Sequence, residues 1–290
     1  MSSVQLICGD CLDVLSRISS GSVHLVFLDP PFNLGKRYRS HHDRMDESDY
    51  WCWMADVVAE SVRVLVDGGA LIFMHRERNI PRIVNIAERL GLTLRNIIIW
   101  HKMTNPAHIR GLLAKDYQPL VYCIKGDRPR CFNPLKIDPP LKPNYRKPRP
   151  DGVYITDVWD DIRELTAGYF AGREAIRDSH GRRILNYQLP VALQLRIQLM
   201  TTLPGDTVLD PFCGLGTTAV VAHQIGRQCI AIDNDPVNIE VAQKRLDHPR
   251  PEDSVLKYRD YYRHTPNLNA IWKTTPETDT GDDPDQPKLF

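Results

Sequence analysis

Apolar and polar positions alternate along the chain with two different periods. Short apolar runs bounded by turn residues are typical of buried strands, and longer segments with apolar residues every three to four positions are typical of amphipathic helices. The predicted strands are Gln5–Cys8, Val23–Leu28, Ala70–Met74, Leu94–Trp100, Gln118–Ile124, Thr207–Leu209 and Cys229–Ile232. The predicted helices are Cys11–Ile18, Asp49–Leu65, Ile80–Leu90, Pro190–Leu203, Thr217–Ile225 and Val237–Leu246. This alternation predicts an α/β fold with a doubly wound sheet.

Three stretches depart from this alternation. Residues 125–150 contain seven prolines, which exclude regular helix and central strand, so we predict an inserted module over residues 125–183. Residues 33–46 show no apolar periodicity and predict a mobile loop. From residue 264 the chain is polar, acidic and proline-containing, and we expect residues 264–290 to be disordered.

Composition narrows the class of protein. The 290 residues are 42% hydrophobic and 25% charged, which is ordinary for a soluble globular protein of one large or two smaller domains. No run of about 18 apolar residues is present, so we expect no membrane span. The first residues lack the pattern of a secretory signal, and the seven cysteines lack framework spacing. These features predict a protein of the reducing cytoplasm.

The formal net charge of +1 conceals a gradient along the chain. Residues 125–150 carry eight Lys or Arg against two Asp, whereas residues 264–290 carry two Lys against five Asp or Glu. A basic segment fits a polyanionic partner, and a solvated, proline-rich surface loop explains the charge equally well.

Two motifs follow two of the predicted strands directly. The first is Asp29-Pro30-Pro31-Phe32, and the second, about 180 residues later, is Asp210-Pro211-Phe212-Cys213-Gly214-Leu215-Gly216-Thr217-Thr218. Open α/β sheets bind ligands at the carboxyl ends of their parallel strands. We therefore expect the two motifs to form two halves of one active site.

The second motif has the features of a nucleoside site without a phosphate. Gly214 and Gly216 allow a tight turn and close approach of the backbone to a ligand. Asp210 at the strand end would repel a pyrophosphate but suits an ammonium group, and Asp233 ends the next strand, where an acid can accept from ribose hydroxyls. A ligand with a ribose, an amino group and no phosphate indicates S-adenosylmethionine. The alternative is a plain strand–turn–helix with glycines for packing.

The first motif offers hydrogen-bond acceptors and an aromatic face. Prolines fix φ and lack N–H donors, so the turn presents the Asp29 carboxylate and the Pro30 carbonyl. These acceptors could hold the hydrogens of an exocyclic amine and favour its pyramidal, nucleophilic form, while Phe32 stacks on the base. Methyl transfer from a sulfonium would then depend mainly on alignment. An ordinary proline turn is the alternative.

The two motifs together resemble those of the DNA amino-methyltransferases, which act on adenine N6 or cytosine N4. The catalytic motif of that family is Asp, Asn or Ser, then two prolines and an aromatic residue, and its cofactor motif matches residues 210–218 throughout. The resemblance implies a Rossmann-like methyltransferase sheet, and catalysis by Asp29, Pro30, Pro31 and Phe32. It implies S-adenosylmethionine contacts from Asp10, Cys11, Asp29, Gln188, Asp210, Phe212, Gly214, Gly216, Thr217, Thr218 and Asp233.

The order of the motifs implies the β arrangement of that family: catalytic motif, recognition region, cofactor motif. Residues 1–124 and 184–263 would then form the catalytic domain, and residues 125–183 the target-recognition region. The target base must leave the stack of double-stranded DNA to reach Asp29. The candidate DNA contacts are the basic residues Lys36, Arg37, Arg39, Arg146, Lys147, Arg149, Arg173, Arg182 and Arg183.

Within that family, Asp at position 29 with Phe at position 32 is more typical of enzymes acting on adenine, so the resemblance implies adenine N6 as the target, with cytosine N4 as the alternative. A catalytically silent DNA-binding subunit and an RNA or protein-glutamine methyltransferase are further alternatives. The resemblance also implies a bacterial or phage-type cytoplasmic enzyme, a monomer or homodimer, in a restriction–modification system with a cognate restriction endonuclease.

Cysteine and histidine residues allow other chemistries that the pattern does not favour. Cys8-x-x-Cys11 lacks a second pair or suitably spaced histidines, so we expect a packed, reduced pair rather than a zinc site. Cys213 lies in the glycine turn and is expected to be a small packing residue, and His41-His42 a solvated loop pair. We expect no metal.

Overall fold

The computed structural model describes residues 3–37, 39, 42–104, 110–139, 149–165, 172–268 and 271–272. The strands are β1 (Val4–Cys8), β2 (Val23–Leu28), β3 (Leu65–Met74), β4 (Leu92–His101), β5 (Tyr117–Lys125), β6 (Lys136–Ile137), β7 (Val153–Tyr154), β8 (Val158–Trp159), β9 (Thr207–Asp210) and β10 (Gln228–Asp233). The α-helices are α1 (Cys11–Leu15), α2 (Glu47–Val64), α3 (Ile80–Arg89), α4 (Val191–Thr201), α5 (Thr217–Gln224) and α6 (Pro236–Asp247).

Eight of these strands form one central sheet, in the order β1-β10-β9-β2-β3-β5-β4-β8. Strands β1, β10, β9, β2 and β3 are parallel to one another, β5 is antiparallel to both of its neighbours, and β8 is parallel to β4. The carboxyl ends of β1, β10, β9, β2, β3 and β4 therefore share one edge of the sheet, together with the start of β5. The predicted doubly wound α/β fold is confirmed.

Alternate side chains of the strands feed two hydrophobic layers. On β2, Leu25 and Phe27 point to the layer under α4, α5 and α6, while Val26 and Leu28 point to the layer under α1, α2 and α3. Burial on both faces explains why residues 25–28 of β2 form a continuous apolar run rather than an alternating one. Helix α4 is buried along almost its whole length, which explains why its sequence lacks a polar face.

The segment Asp67-Gly68-Gly69 lies between the predicted helix Asp49–Leu65 and the predicted strand Ala70–Met74, and the structure places it within β3. Helix α2 ends at Val64, and β3 begins at once with Leu65. Because β3 pairs with β2 at Leu65 and resumes at Ala70, the intervening residues bulge out of the sheet. At Gly68, where φ is 73°, a Cβ would lie 2.5 Å from the backbone nitrogen of Arg130, so the bulge requires glycine.

The stretch 125–183 was predicted to be an inserted module, and its described parts are instead built into the main domain. Strand β8 extends the central sheet, and the buried side chains of Leu135, Trp159 and Ile162 belong to the main core. The predicted boundary at 183/184 lies within a local hydrogen-bonded structure. It cuts a hairpin in which Ile184 N donates to Ile176 O.

The predicted disordered tail starts too early at residue 264. Leu268, Ile271 and Trp272 are buried against the main core, and Thr265 exchanges hydrogen bonds with the backbone of Lys136. Three spaced apolar residues in a polar segment supply this anchoring. The acidic stretch 273–290 lies outside the described residues. No helix in the described part of the chain is long and apolar enough to cross a membrane.

Candidate active site

One sheet edge collects the acidic residues that the sequence singled out. Asp29 directly follows β2, Asp210 and Asp233 end β9 and β10, and Asp10 comes just after β1. All four line one cavity of about 580 Å³. The sheet order places β2 next to β9, so the catalytic and cofactor motifs are neighbours despite their separation in the chain.

The two carboxylates on the glycine-turn side are held by hydrogen bonds from their own surroundings. Asp210 accepts from Phe212 N at 3.0 Å and from the Thr218 hydroxyl. Asp233 accepts from Gly214 N at 2.9 Å, from Asp235 N at 2.8 Å and from Asn238 Nδ2 at 3.1 Å. Burial still raises the pKa of Asp210 to about 7 and shifts the pKa of Asp233 upwards. A cation in the cavity would favour the charged form of both.

Asp29 is bonded differently. Within the described part of the chain, no donor lies within hydrogen-bonding distance of its carboxylate, which faces the cavity. Burial, reinforced by the charge of Asp210, raises the pKa of Asp29 to about 8, while Lys102 and Lys36 act in the opposite direction. The acceptor capacity of Asp29 is therefore free for a ligand.

The glycine turn between β9 and α5 is tightly constrained. Gly214 and Gly216 have φ of 52° and 76°, a region that favours glycine. A Cβ on Gly216 would lie 2.5 Å from the Cβ of Ala242 on α6, so no side chain fits there. The turn packs α5 against α6 and exposes Phe212 to the cavity, where its ring contacts Trp53 with centroids 5.7 Å apart.

The Phe32 ring has a partner that the sequence analysis did not identify. It packs against His75, with ring centroids 4.5 Å apart and planes tilted by 32°. His75 is fully buried and bonded to the Tyr50 hydroxyl, which also donates to Pro31 O at 2.8 Å. His75 directly follows β3, in the same position after a strand that Asp29 occupies after β2. The strand-end rule applied to β3 would have found it.

Lys102 is a second residue that the sequence analysis missed. It follows β4 at the same edge, lines the cavity, and pairs with Glu164 at 2.6 Å. Gln118, at the start of antiparallel β5, lines the same wall and donates to the backbone oxygen of His75. Lys102 follows the end of a strand, so its place at this edge was predictable from sequence. Gln118 and Glu164 reach the cavity only through the tertiary fold.

The stretch 33–46, which is predicted to be a mobile loop, borders the cavity, and several of its described residues are joined by hydrogen bonds. The Asn33 amide exchanges two hydrogen bonds with the backbone of Met45. The buried Asp43 carboxylate accepts from Leu34 N at 3.1 Å and from Lys36 N. Short-range side-chain caps of this kind order a polar segment without apolar periodicity.

Two predicted cofactor contacts, Asp10 and Gln188, have structural partners of their own. Asp10 caps α1 by accepting from Leu12 N and Asp13 N. Gln188 accepts from Ile176 N at 2.9 Å and donates to Glu174 O at 3.0 Å, so its amide braces the chain rather than reaching freely into the cavity. Burial raises the pKa of the Cys11 thiol to about 12, which favours the protonated thiol.

The cysteines and histidines form no metal cluster in the described segments. All seven cysteines are free, but Cys8 is exposed while Cys11 is buried, so the expected packed pair is not formed. Cys213 is buried in the glycine turn, as expected of a packing residue. His41 lies outside the described residues.

The candidate DNA contacts are spread over the surface. Lys36, Arg37 and Arg39 line the cavity, and Lys36 Nζ lies 3.6 Å above the Tyr187 ring. Arg39 is within 3.6 Å of Asp235. The residues away from the cavity lining are Arg149, Arg173, Arg182 and Arg183. Arg146 and Lys147 lie outside the described residues.

The fold and the site define a class: α/β enzymes that bind a nucleoside-like ligand across the carboxyl ends of a parallel sheet, beside an acceptor site. Residues 23–244 match the family described as DNA methylase, whose name covers N6 and N4 methyltransferases. The chain belongs to this DNA methylase family. The resemblance drawn from the two motifs is confirmed.

Relatives of known name agree with this assignment. The chain is 32% identical to type II methyltransferase M.BamHI of Bacillus amyloliquefaciens over 91% of its own length and 64% of the length of that protein. It is 31% identical to DNA adenine methyltransferase YhdJ of Escherichia coli K12, over 83% of this chain and 82% of the relative.

A solved structure shows the same fold. The complex of M1.HpyAVI with SAM superposes with a TM-score of 0.56 at 19% identity, covering 84% of this chain and 99% of the other.

Proposed function

We propose that this enzyme transfers a methyl group from S-adenosylmethionine to N6 of adenine in double-stranded DNA. One observation carries the proposal: Asp29 presents a carboxylate that has no donor among the described residues, beside the Phe32 ring and next to the glycine turn of the cofactor motif. YhdJ, which matches over most of both chains, is a DNA adenine methyltransferase by name.

The residues of the glycine-turn side fit S-adenosylmethionine. Asp210 and Asp233 give this wall of the cavity negative charge, which suits an ammonium group and ribose hydroxyls and opposes a pyrophosphate. Phe212 and Trp53 offer apolar surface to an adenine ring, and the lack of side chains at Gly214 and Gly216 lets the ligand approach the backbone. When bound, the cofactor supplies an electrophilic methyl group on a positively charged sulfur.

The residues of the acceptor side fit an exocyclic amine. The Asp29 carboxylate and the Pro30 carbonyl accept its two hydrogens, so its lone pair turns out of the ring plane towards the donor. Phe32 stacks on the base and fixes the line of attack. Once the nitrogen carried the methyl group that the cofactor would supply, Asp29 would take up the surplus proton of that nitrogen.

Double-stranded DNA reaches Asp29 only by flipping a base into the cavity. Lys36 and Arg37 stand at the cavity and are suited to phosphate contacts, as are the exposed Arg149, Arg173 and Arg182. We extend the same proposal to Arg146, Lys147 and the half-buried Arg183. Arg39 already pairs with Asp235 and is proposed to exchange that partner for phosphate.

Digestion of methylated DNA tests the target atom. Mixed duplexes incubated with the protein and S-adenosylmethionine are digested to nucleosides, and N6-methyladenine is expected. N4-methylcytosine instead would move the target to cytosine, which the family also covers. No methylated base together with no cofactor binding by calorimetry would support a catalytically silent DNA-binding subunit.

The biological setting is proposed from the same relatives. M.BamHI is named a type II methyltransferase. We propose that this chain is likewise a cytoplasmic modification enzyme, monomeric or homodimeric, that protects DNA from a cognate restriction endonuclease. Sequencing a plasmid carried with the gene for modified bases is expected to show methylation at every copy of one short site. Methylation without a common sequence would contradict this setting.

A further inference from the structure

A buried hydrogen-bond network lies behind the catalytic turn Asp29–Phe32. The Tyr50 hydroxyl is 2.8 Å from Pro31 O and 2.9 Å from His75 Nε2. His75 Nδ1 is 2.8 Å from the backbone nitrogen of Arg76 and 3.1 Å from Asn79 Nδ2. This hydrogen-bond network joins the catalytic turn to the first turn of α2 and to the end of β3.

The partners fix the direction of these hydrogen bonds. The backbone N–H of Arg76 can only donate, so His75 Nδ1 must accept and the imidazole proton lies on Nε2. Nε2–H then donates to the Tyr50 oxygen, and the Tyr50 proton goes to Pro31 O. A protonated imidazole would set two N–H groups against each other at Nδ1. Burial, with Arg76 and Arg78 nearby, lowers the pKa of His75 to about 3, which agrees with a neutral ring.

The same imidazole also positions the aromatic residue of the catalytic motif. One side of the Phe32 ring rests on His75 at 4.5 Å, so the ring cannot swing back from the cavity that it lines. The proline rings fix φ at positions 30 and 31, and the hydrogen bond from Tyr50 fixes the plane of the following peptide. The orientation of the Phe32 ring and the plane of the peptide that follows Pro31 are therefore both restrained by the Tyr50–His75 pair.

We propose that Tyr50 and His75 are positioning residues for methyl transfer: the relay from His75 Nε2–H through the Tyr50 hydroxyl to Pro31 O aligns the Asp29–Phe32 turn with the target amine. Neither side chain need touch the reacting atoms. The inference rests on the proposed function, because alignment of an acceptor amine is the step that it serves.

Tyr50→Phe removes only the hydroxyl and keeps the ring, and the chain offers a matched control. Tyr122 is equally buried, at 2% exposure, but its hydroxyl has no hydrogen-bond partner in the described structure, and it lies outside the cavity lining. We expect Tyr50→Phe to lower the single-turnover rate of methyl transfer about three- to tenfold, the usual effect of losing one neutral hydrogen bond. S-adenosylmethionine affinity stays within about twofold, and Tyr122→Phe keeps the wild-type rate.

A second pair of variants tests the histidine. His75→Gln retains an N–H donor near Tyr50 and should recover part of the rate that His75→Leu loses. A wild-type rate in Tyr50→Phe would overturn the positioning role. So would a fall in cofactor affinity by the same factor as the rate, accompanied by a lower melting temperature.

The tautomer of His75 gives a readout that does not depend on activity. In 15N spectra of histidine-labelled protein we expect a neutral ring with the proton on Nε2, and a change in that resonance in Tyr50→Phe. A proton on Nδ1 would overturn the relay. If the wild type methylated no DNA, the proposed function would fail, and this spectrum would still decide the hydrogen-bond arrangement.

Discussion

The two sides of the cavity hold their carboxylates in opposite ways. On the glycine-turn side, both carboxylates accept hydrogen bonds from nearby groups. Asp210 accepts from the turn that follows it and from the start of α5. Asp233 accepts from the glycine turn and from the residues that begin α6. On the acceptor side, Asp29 faces the cavity without a donor among the described residues, and the turn that carries it is braced by Tyr50 and His75.

This difference matches two different tasks. A site that binds a cofactor in every cycle gains from carboxylates that are already oriented, because little conformational entropy is then lost on binding. A site that must accept the hydrogens of an incoming amine needs lone pairs that nothing else occupies. Rigidity is therefore built into the carboxylates on one side and into the backbone behind the carboxylate on the other.

The largest expected effect comes from removing the open acceptor. Asp29→Ala should reduce single-turnover methyl transfer by about 10²–10⁴-fold, the usual range for a group that handles a proton in the transition state. Cofactor binding should be largely retained, because the groups on the glycine-turn side are untouched. Rapid-quench assays and calorimetry measure the two quantities, and a wild-type rate would refute the catalytic role.

The next effect concerns the glycine turn. Gly216→Ala should lower the free energy of unfolding by about 2–5 kcal/mol, because it combines a positive φ with overlap against Ala242. Gly226 has a similar φ of 73° but nothing within 4 Å of its added Cβ, so Gly226→Ala isolates the backbone strain. Equal losses in chemical denaturation would show that the contact with α6 is unimportant.

A smaller effect is expected at the hydroxyl that holds Asp210. The hydrogen bond from Thr218 lowers the pKa of Asp210, so Thr218→Val should raise it and leave less carboxylate for a cation near neutral pH. We expect cofactor affinity to fall about tenfold. Thr201→Val serves as the control, since its hydroxyl is equally buried but bonds only to Ile197 O within α4. Unchanged affinity in Thr218→Val would mean that Asp210 needs no orienting donor.

The smallest effect is a shift in pH dependence. Asp29 can take up the surplus proton of the amine only when it is ionised, so kcat/KM should rise with pH through the pKa of Asp29, which is about 8 in the free enzyme. The ammonium of Lys102 lowers that pKa, so Lys102→Met should move the rising limb to higher pH. A limb that stays in place, or moves to lower pH, would show that Lys102 does not act on Asp29.

The sheet and the acidic residues of the site were predictable because each depends on local sequence. Buried strands such as β2 and β9 are apolar runs, and Asp29, Asp210 and Asp233 follow from their ends. His75 and Lys102 stand in the same position after β3 and β4, so the same rule would have predicted them.

The rest depends on tertiary structure. Tyr50 reaches the turn from a helix start, and Gln118 from the beginning of an antiparallel strand. In the stretch 125–183, the two-residue strand β8 and its buried Trp159 could not be predicted, because no periodicity marks so short a strand. Asp67-Gly68-Gly69 resembles a turn in sequence, and only its pairing with β2 and its contact with Arg130 show a bulge.

The pairing of β2 with β9 and of β1 with β10 also bears on how the enzyme is made. The catalytic turn leaves the ribosome about 180 residues before β9, the strand that pairs with β2. Strand β1 has only β10 beside it in the described sheet. Contacts so distant in sequence form late and slow folding. A chain that stops before β9 would hold Asp29 but no cofactor turn, so incomplete products of synthesis would be inactive rather than partly active.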